Sequence, residues 1–241
     1  KRLYNFQGRE IRMTIKDKQN LNRDTIAYIS SIIETGMNLN EIRTLCEKYL
    51  LAHGAYSFWY WDVGAFVFCG KETAVSVSGR EYKTSDIKIE ENDIITIDLS
   101  PQNNNIWGDY ARTIIIENGN VVTEVEKIQN DEWRNGLIME KHLHKAMQEY
   151  VTADTTFEEL YYHINKIIAE KGYVNLDFIG NLGHSIVMDK NDRIYIEKGS
   201  KAKLSSVKAF TFEPHISVPN SSYGYKMENI YSFNNGKLIE E

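Results

Sequence analysis

The sequence predicts an α+β fold in which helices and strands surround one central cleft. Helix-type apolar spacing occurs in two separate regions, and each region is followed or preceded by segments rich in β-branched and aromatic residues. The order helix, helix, strands occurs twice, over residues 15–118 and 119–241. A chain of 241 residues can bury one full core. We therefore expect a single domain over residues 1–241, built of two pseudo-equivalent halves around the cleft.

The first half is predicted to begin with two amphipathic helices. Residues Lys16–Glu34 place apolar side chains on one helical stripe, and Asn40–Leu51 repeat the pattern after a helix-start signal at Asn38. The segment Ser57–Cys69 is dense in aromatic and β-branched residues, which favours strands. Its aromatic side chains are expected to lie mainly in the core, with the wall of a pocket as the alternative.

The second half is predicted to repeat this order. Val121–Met147 and Thr156–Lys171 have helical apolar spacing, and strands follow through Glu241. Three histidines lie inside these helices, and helix composition explains them as ordinary surface or core residues: His142, His144 and His163.

The stretch Asn92–Ile116 predicts a β-hairpin. Two β-branched runs flank a Pro-Gln-Asn-Asn-Asn segment with turn chemistry. Asp98 ends the first run and Asp109 opens the second, so pairing of the arms can bring both carboxylates onto one face. Aspartates of this kind also end strands and make turns. Two buried carboxylates in contact, however, repel each other unless a cation lies between them or one takes up a proton.

The two arms, Ile-Thr-Ile-Asp-Leu and Trp-Gly-Asp-Tyr-Ala-Arg-Thr, resemble the metal-binding hairpin of the methionine aminopeptidase, aminopeptidase P and creatinase superfamily. These are the pita-bread metallopeptidases, and the resemblance implies five metal ligands in the order Asp, Asp, His, Glu, Glu. Three later segments resemble the remaining family motifs: Gly-His-Ser-Ile, Phe-Thr-Phe-Glu-Pro and Tyr-Lys-Met-Glu-Asn-Ile. The implied ligands are Asp98, Asp109, His184, Glu213 and Glu228.

By this resemblance the five ligands hold two divalent metal ions. Carboxylates and an imidazole suit Mn, Co, Fe or Zn. Asp98 would chelate one ion, Asp109 and Glu228 would bridge, and the remaining two ligands would complete the second. Such a pair shares a water, lowers its pKa and polarises a carbonyl, which implies cleavage of the N-terminal amide bond of a peptide or small amide by a metal-bridged hydroxide. Glu213 is the expected proton carrier.

Two histidines that contact the substrate in the active peptidases are missing. Ser78 or a neighbour within Val75–Tyr82 stands where the first is expected, and the segment Met188–Arg193 contains no histidine where the second is expected. One such donor typically contributes ~10²–10³ in rate. His215 lies two residues after Glu213 and so on the same side of a strand, which makes it a candidate catalytic replacement. A surface histidine at a strand edge is the alternative.

The missing histidines leave a second function open. The leading interpretation is a dinuclear metal hydrolase of the aminopeptidase or Xaa-Pro dipeptidase type. The alternative is a catalytically impaired pita-bread domain that binds a peptide or a protein. A creatinase-like amidinohydrolase fits less well, because that enzyme works through its histidine without metals and this sequence has the opposite set.

Composition bounds the partners and the compartment. The net charge of -6 argues against nucleic acid or an acidic membrane surface as the main partner. Cys46 and Cys69 have no metal-type spacing, so a reducing compartment is expected. No apolar run approaches the ~20 residues of a membrane span, and a cytoplasmic location is expected. A homodimer is left open. The start Tyr-Asn-Phe-Gln-Gly looks like a tag remnant or trimmed terminus, so residues 1–14 carry no fold prediction.

Overall fold

A computed structural model describes residues 13–177 and 179–241 of the chain, so most of the N-terminal segment set aside above lies outside the described residues. The helices are α1 (Ile15–Ile32), α2 (Leu39–Ala52), α3 (Asp131–Tyr150) and α4 (Phe157–Glu170). The strands are β1 (Ser57–Phe58), β2 (Ala65–Cys69), β3 (Asp93–Leu99), β4 (Pro101–Asn103), β5 (Ile106–Trp107), β6 (Tyr110–Glu117), β7 (Asn120–Val122), β8 (Val174–Asn175), β9 (Phe210–Phe212), β10 (His215–Ser217), β11 (Tyr225–Lys226), β12 (Asn229–Asn234) and β13 (Lys237–Glu240).

Helix positions follow from local capping chemistry. In α1, α2 and α4 the side chain before the helix and an acidic side chain three residues later satisfy each other's backbone N–H groups. Such a cap typically contributes ~1 kcal/mol. These pairs are Thr14 with Asp17, Asn38 with Glu41, and Thr156 with Glu159. Three of the four predicted helices are confirmed, with ends within a few residues of the prediction.

The fourth predicted helix, over Val121–Met147, is wrong in its first ten residues. Asn118 and Gly119 have φ of 52° and 72° and form a tight turn after β6. The chain then pairs back on β6 as β7, and Asn120 lies opposite Glu117. The helix α3 begins only at Asp131, after the side chain of Asn130 has accepted a hydrogen bond from the Trp133 N–H. The start of the predicted helix, Val121 and Val122, therefore belongs to a strand.

The predicted hairpin is confirmed. Strands β3 and β6 pair antiparallel over seven residues, and Asp98 lies opposite Ala111. They are the centre of a sheet with the order β2-β3-β6-β7, which packs against α1 and α2. The connection is more than a turn, because β4 pairs with both β5 and β1 in a small separate sheet of the order β1-β4-β5. In Ser57–Cys69 two strands form, interrupted at Trp61 and Asp62, whose φ values are 57° and 58°.

The second half is built on the same plan with shorter strands. Helices α3 and α4 cover a second core, to which strands β9 to β12 contribute large buried side chains. Two three-stranded sheets, β11-β10-β8 and β13-β12-β9, complete this half. Each helix pair therefore has its own sheet layer and its own core, as expected for the α+β fold with two halves.

The halves are joined along a seam, which we define as the pairing of residues 111–113 with residues 226–228. The Glu228 N–H donates to Ala111 O at 3.0 Å. Thr113 extends the pairing with its side chain: its Oγ1 accepts from the Lys226 N–H at 2.9 Å and donates to Lys226 O at 3.1 Å. Within the described ranges, no helix combines the length and the apolar character that crossing a membrane requires.

Candidate metal centre

A cavity of about 210 Å³ lies where the two halves meet. Its aromatic wall comes from the segment Ser57–Cys69, through Trp59, Tyr60, Phe66 and Phe68. The prediction that these aromatic side chains lie mainly in the core is therefore only partly confirmed, since Trp59 and Phe66 are both buried and part of the cavity wall.

Four of the five implied metal ligands line this cavity, and the fifth, Glu228, is buried against Asp98 and Asp109. Oxygens of Asp98, Asp109 and Glu228 lie within 4.8 Å of one another. The Nε2 atom of His184 lies 3.5 Å from Asp109 Oδ2 and 3.8 Å from Glu213 Oε1. Side chains far apart in sequence thus form one cluster, which we call the acidic cluster: Asp98, Asp109, His184, Glu213 and Glu228.

Asp109 precedes β6 and is held by helix α1. The side-chain amide of Gln19 donates to Asp109 O at 2.9 Å and accepts from the Asp109 N–H at 3.1 Å, as a neighbouring strand would. Asn22 donates to the Gln19 oxygen at 3.0 Å and fixes the orientation of the amide. On the other side, the Trp59 indole donates to Gly108 O at 3.1 Å. The backbone around Asp109 is therefore fixed on both sides, independently of any contact of the carboxylate.

His184 is held in the tautomer that a metal ligand needs. Its Nδ1 lies 3.0 Å from Ser185 O, so Nδ1 carries the proton and Nε2 presents a lone pair to the carboxylates. Burial lowers the pKa of His184 to about 4, which keeps the ring neutral at pH 7. The preceding Gly183 has φ of 137°, and a Cβ there would collide with the carbonyl of Thr211. Only glycine allows this close approach.

Glu228 is buried with neither carboxylate oxygen hydrogen-bonded among the described residues. Its backbone is fixed by Arg112, whose guanidinium donates to Glu228 O at 2.8 Å. Burial raises the pKa of Glu228, and the neighbouring carboxylates raise it further; the same two causes raise the pKa of Asp109. A buried, unpartnered carboxylate among others is costly unless a cation compensates it. The residues therefore fit divalent ions.

A lysine that sequence reasoning overlooked lies inside the acidic cluster. Lys226 Nζ is 2.6 Å from Asp98 Oδ2 and 3.0 Å from Glu213 Oε2. Burial alone would lower the pKa of Lys226, but the carboxylates around it raise it overall, so the ammonium is charged. For Glu213, burial is the largest single cause and raises the pKa, but Lys226, His184 and Arg193 together outweigh it, so the net pKa is lowered. The signal was present, because positions 226 and 228 of an extended chain face the same side.

The positions of the two missing histidines do not supply direct replacements. Ser78 forms a turn through its hydroxyl, which accepts from the Arg80 N–H, and Ser76 lines the cavity instead. The segment Met188–Arg193 places its last residue in the cavity wall. The Arg193 guanidinium lies 5.3 Å, 5.5 Å and 5.2 Å from three ring centres, those of Trp59, Tyr60 and Tyr195. Sequence reasoning noted the missing histidine there and overlooked this arginine.

His215 lines the cavity beside Glu213, so the alternative of a surface histidine is wrong. Its Nε2 lies 2.6 Å from Thr73 O and must carry a proton that it donates there. Burial lowers the pKa of His215 to about 4, so the ring is neutral. The Nε2–H that would serve a substrate carbonyl is therefore already used by the protein.

Comparison with known proteins places this site in a family. The model of metallopeptidase family M24 matches residues 14–234. Solved structures with similar folds include the X-Pro aminopeptidase of Thermotoga maritima (22% identity, TM-score 0.77, 94% of this chain and 59% of that chain). They also include the prolidase of Pyrococcus furiosus (20% identity, TM-score 0.76, 94% of this chain and 61% of that chain). A third is the methionine aminopeptidase of Rickettsia prowazekii (15% identity, TM-score 0.72, 94% of each chain).

These structures share the fold, and the chain spans about three fifths of the length of the X-Pro aminopeptidase and the prolidase. Among curated proteins no significant match is found. The family match covers nearly the whole chain, and the fold with its two halves agrees with it. The chain therefore belongs to metallopeptidase family M24.

Proposed function

We propose that this chain is a metal-dependent hydrolase of the aminopeptidase or Xaa-Pro dipeptidase type. It holds two divalent ions through Asp98, Asp109, His184, Glu213 and Glu228 and cleaves the N-terminal amide bond of a peptide or small peptide-like substrate. The observation that supports this most is the convergence of four carboxylates and one neutral imidazole at this cavity, with both oxygens of Glu228 buried and without a hydrogen bond among the described residues.

Glu213 is the proton carrier in this proposal. Bound divalent ions would lower the pKa of a water and polarise the scissile carbonyl. Glu213 is ionised because its pKa is lowered, and Thr211 fixes its Oε1 through a hydroxyl 3.3 Å away. An ionised, fixed carboxylate can accept a proton from the attacking water and deliver it to the leaving nitrogen.

Arg193 is the donor that we assign to the substrate in place of the missing histidines. Its Nε donates to Lys190 O at 2.8 Å, which fixes the guanidinium between the aromatic rings. Among the described residues we find no hydrogen bond from either Nη atom, so these N–H groups are free for a carbonyl or carboxylate oxygen. The cavity of about 210 Å³ lies below the ~300–1,000 Å³ of typical ligand pockets, which favours a small peptide.

The alternative, a peptide- or protein-binding domain without efficient catalysis, is supported by two contacts. The ammonium of Lys226 already neutralises part of the acidic cluster, and His215 is engaged by Thr73 O. Both contacts occupy groups that a reaction would use, namely carboxylate oxygens and the His215 N–H. Neither contact closes the cavity to a ligand.

The test is metal content together with turnover. We expect about two ions per chain after loading with Mn, Co, Fe or Zn, as the resemblance to the family implies, and loss of bound metal in Asp109→Ala. Unblocked dipeptides, tripeptides and small amides should be cleaved, and Glu213→Gln should be slower by ~10²–10⁴. Asp154→Asn, at an exposed aspartate, is the control. Absence of turnover together with tight binding of a peptide would favour the alternative.

A further inference from the structure

The acidic cluster contains a cation of its own. Lys226 Nζ lies 2.6 Å from Asp98 Oδ2, 3.0 Å from Glu213 Oε2 and 4.0 Å from Glu228 Oε2. Its side chain is only 16% exposed, so the ammonium has little contact with solvent. The neighbouring carboxylates must therefore offset the cost of burying its charge. One lysine thus faces three of the four carboxylates.

The ammonium does not reach all parts of the cluster equally. One oxygen of Asp98 and one of Glu213 are hydrogen-bonded to it. By contrast, Asp109 Oδ2 and Glu213 Oε1 face the lone pair of His184 Nε2, at 3.5 Å and 3.8 Å. A divalent ion can therefore use the oxygens around His184 without disturbing Lys226, whereas full use of Asp98 requires the ammonium to move.

The backbone keeps this lysine in place independently of its charge. Both the N–H and the carbonyl of Lys226 are bonded to the hydroxyl of Thr113, in the seam that joins the halves. The stem therefore emerges from a fixed point, and the ammonium cannot leave the cluster by movement of a loop. Unit charges about 4 Å apart interact appreciably even where the effective dielectric is near that of a protein surface.

We propose that Lys226 is the resident counter-ion of the acidic cluster: it keeps the metal-free site assembled and competes with a divalent ion for Asp98 and Glu213. This inference rests on the metal binding proposed above. It makes Lys226 a positioning residue with two opposite effects. Removal of its charge should lower the stability of the metal-free protein and raise the affinity for metal. If the lysine only supported the fold, its removal would lower the stability without raising the affinity for metal.

The experiment compares wild type with Lys226→Gln, Lys226→Met and Lys226→Arg by calorimetric titration with Mn²⁺ and by thermal melting in chelator. We expect both neutral variants to bind the more weakly held of the two Mn²⁺ ions at least about tenfold more tightly than wild type, because the charge that repels this ion is gone. The same variants should melt at lower temperature in chelator. The arginine variant keeps the charge and should stay within about threefold of wild type. Lys203→Gln removes an exposed lysine bonded to Asp154 and is the control.

The outcomes separate this inference from the proposed function. If neutral variants bind Mn²⁺ no more tightly than a wild type that does bind it, the counter-ion role is wrong and the hydrolase proposal stands. If they bind Mn²⁺ and wild type does not, Lys226 has displaced the metal and the hydrolase proposal fails. If none of the proteins binds Mn²⁺, both are wrong.

A measurement on wild type covers the case in which the neutral variants do not fold. Crystals equilibrated with low and high Mn²⁺ should show anomalous density beside Asp98 only where Nζ has moved away from Oδ2. An ion bound beside Asp98 with the 2.6 Å contact intact would overturn the competition.

Discussion

The two halves of the molecule hold their share of the acidic cluster in different ways. Asp98 lies within β3, and Asp109 directly precedes β6; these strands pair over seven residues in one regular ladder. His184, Glu213 and Glu228 lie outside the regular strands, next to short ones. In the first half, the repeated backbone hydrogen bonds of this ladder hold the segments that carry the two aspartates in position. In the second half, single contacts do so, and each is therefore a separate point of failure.

Thr211 is an example of such a single contact. Its hydroxyl accepts from the His184 N–H at 3.0 Å and donates to Glu213 Oε1 at 3.3 Å. One side chain thus links two members of the cluster. Asp98 needs no such contact because the ladder fixes its backbone, whereas Asp109, one residue before the ladder, is held by Gln19.

The largest loss of stability is expected at Gly183, where the packing of the second half leaves no room for a side chain. Gly183→Ala places a Cβ against the Thr211 carbonyl at φ of 137°, and should cost more than about 3 kcal/mol of unfolding free energy because backbone cannot yield cheaply. Gly172 also has a positive φ, 79°, but no atom lies within 4 Å of a Cβ there, so Gly172→Ala should cost only about 1 kcal/mol. Urea unfolding in chelator measures both. Equal costs would show that the loop around His184 is not tightly constrained.

A smaller effect is expected in the first half, at the one ligand that lies outside the ladder. Gln19→Met removes both bonds to the backbone of Asp109 and leaves a buried N–H and carbonyl unpaired, for about 2 kcal/mol. Gln148→Met, at an exposed glutamine of α3, should stay within about 0.5 kcal/mol. The same urea unfolding measures them. A loss for Gln19→Met no larger than for the control would mean that β6 alone positions Asp109.

The smallest effect, counted per pH unit, concerns a buried histidine that supports the second half. His144 lies 2.8 Å from Tyr231 Oη and 2.9 Å from Met227 O, and burial lowers its pKa to about 3. Between this value and the unfolded value near 6.5, the unfolded chain binds more protons, so stability falls as pH falls through that window. The contribution reaches at most ~1.4 kcal/mol per pH unit.

Unfolding free energies of wild type and His144→Gln from pH 7 to pH 4 test this. The variant should lose less stability per pH unit, while His142→Gln, at an exposed histidine of the same helix, should follow wild type. Parallel curves for wild type and His144→Gln would contradict the assignment.

The contrast between the halves also explains what the sequence could predict. The hairpin that carries Asp98 and Asp109 has long β-branched arms and a clear turn, so local pattern was sufficient. His184, Glu213 and Glu228 lie beside strands of two to six residues, which are too short for a periodic signal, and only the family resemblance indicated them. Their role as ligands stays a prediction.

The errors have physical causes as well. The predicted helix extends too far towards the N-terminus because its periodic residues lie only in the part that forms α3, while the Asn118-Gly119 turn indicates a hairpin at β7. Lys226 and Arg193 were overlooked because charged side chains are usually solvated, and only the tertiary fold shows what surrounds them. Arg193 could not be assigned to the cavity from local sequence, whereas the two-residue spacing between Lys226 and Glu228 was a usable signal.

The seam has a consequence for the order in which the molecule is made. Arg112 bonds to Glu228 O across a separation of 116 residues, and the Glu228 N–H bonds to Ala111 O. The first-half sheet is closed by local pairings and can form early, as contacts near in sequence do. During synthesis on a ribosome, the sheet that carries Asp98 and Asp109 could therefore form before Lys226 and Glu228 have been synthesised. If the acidic cluster holds metal as proposed, its full ligand set forms only in the last step of folding, when residues 226–228 pair with β6.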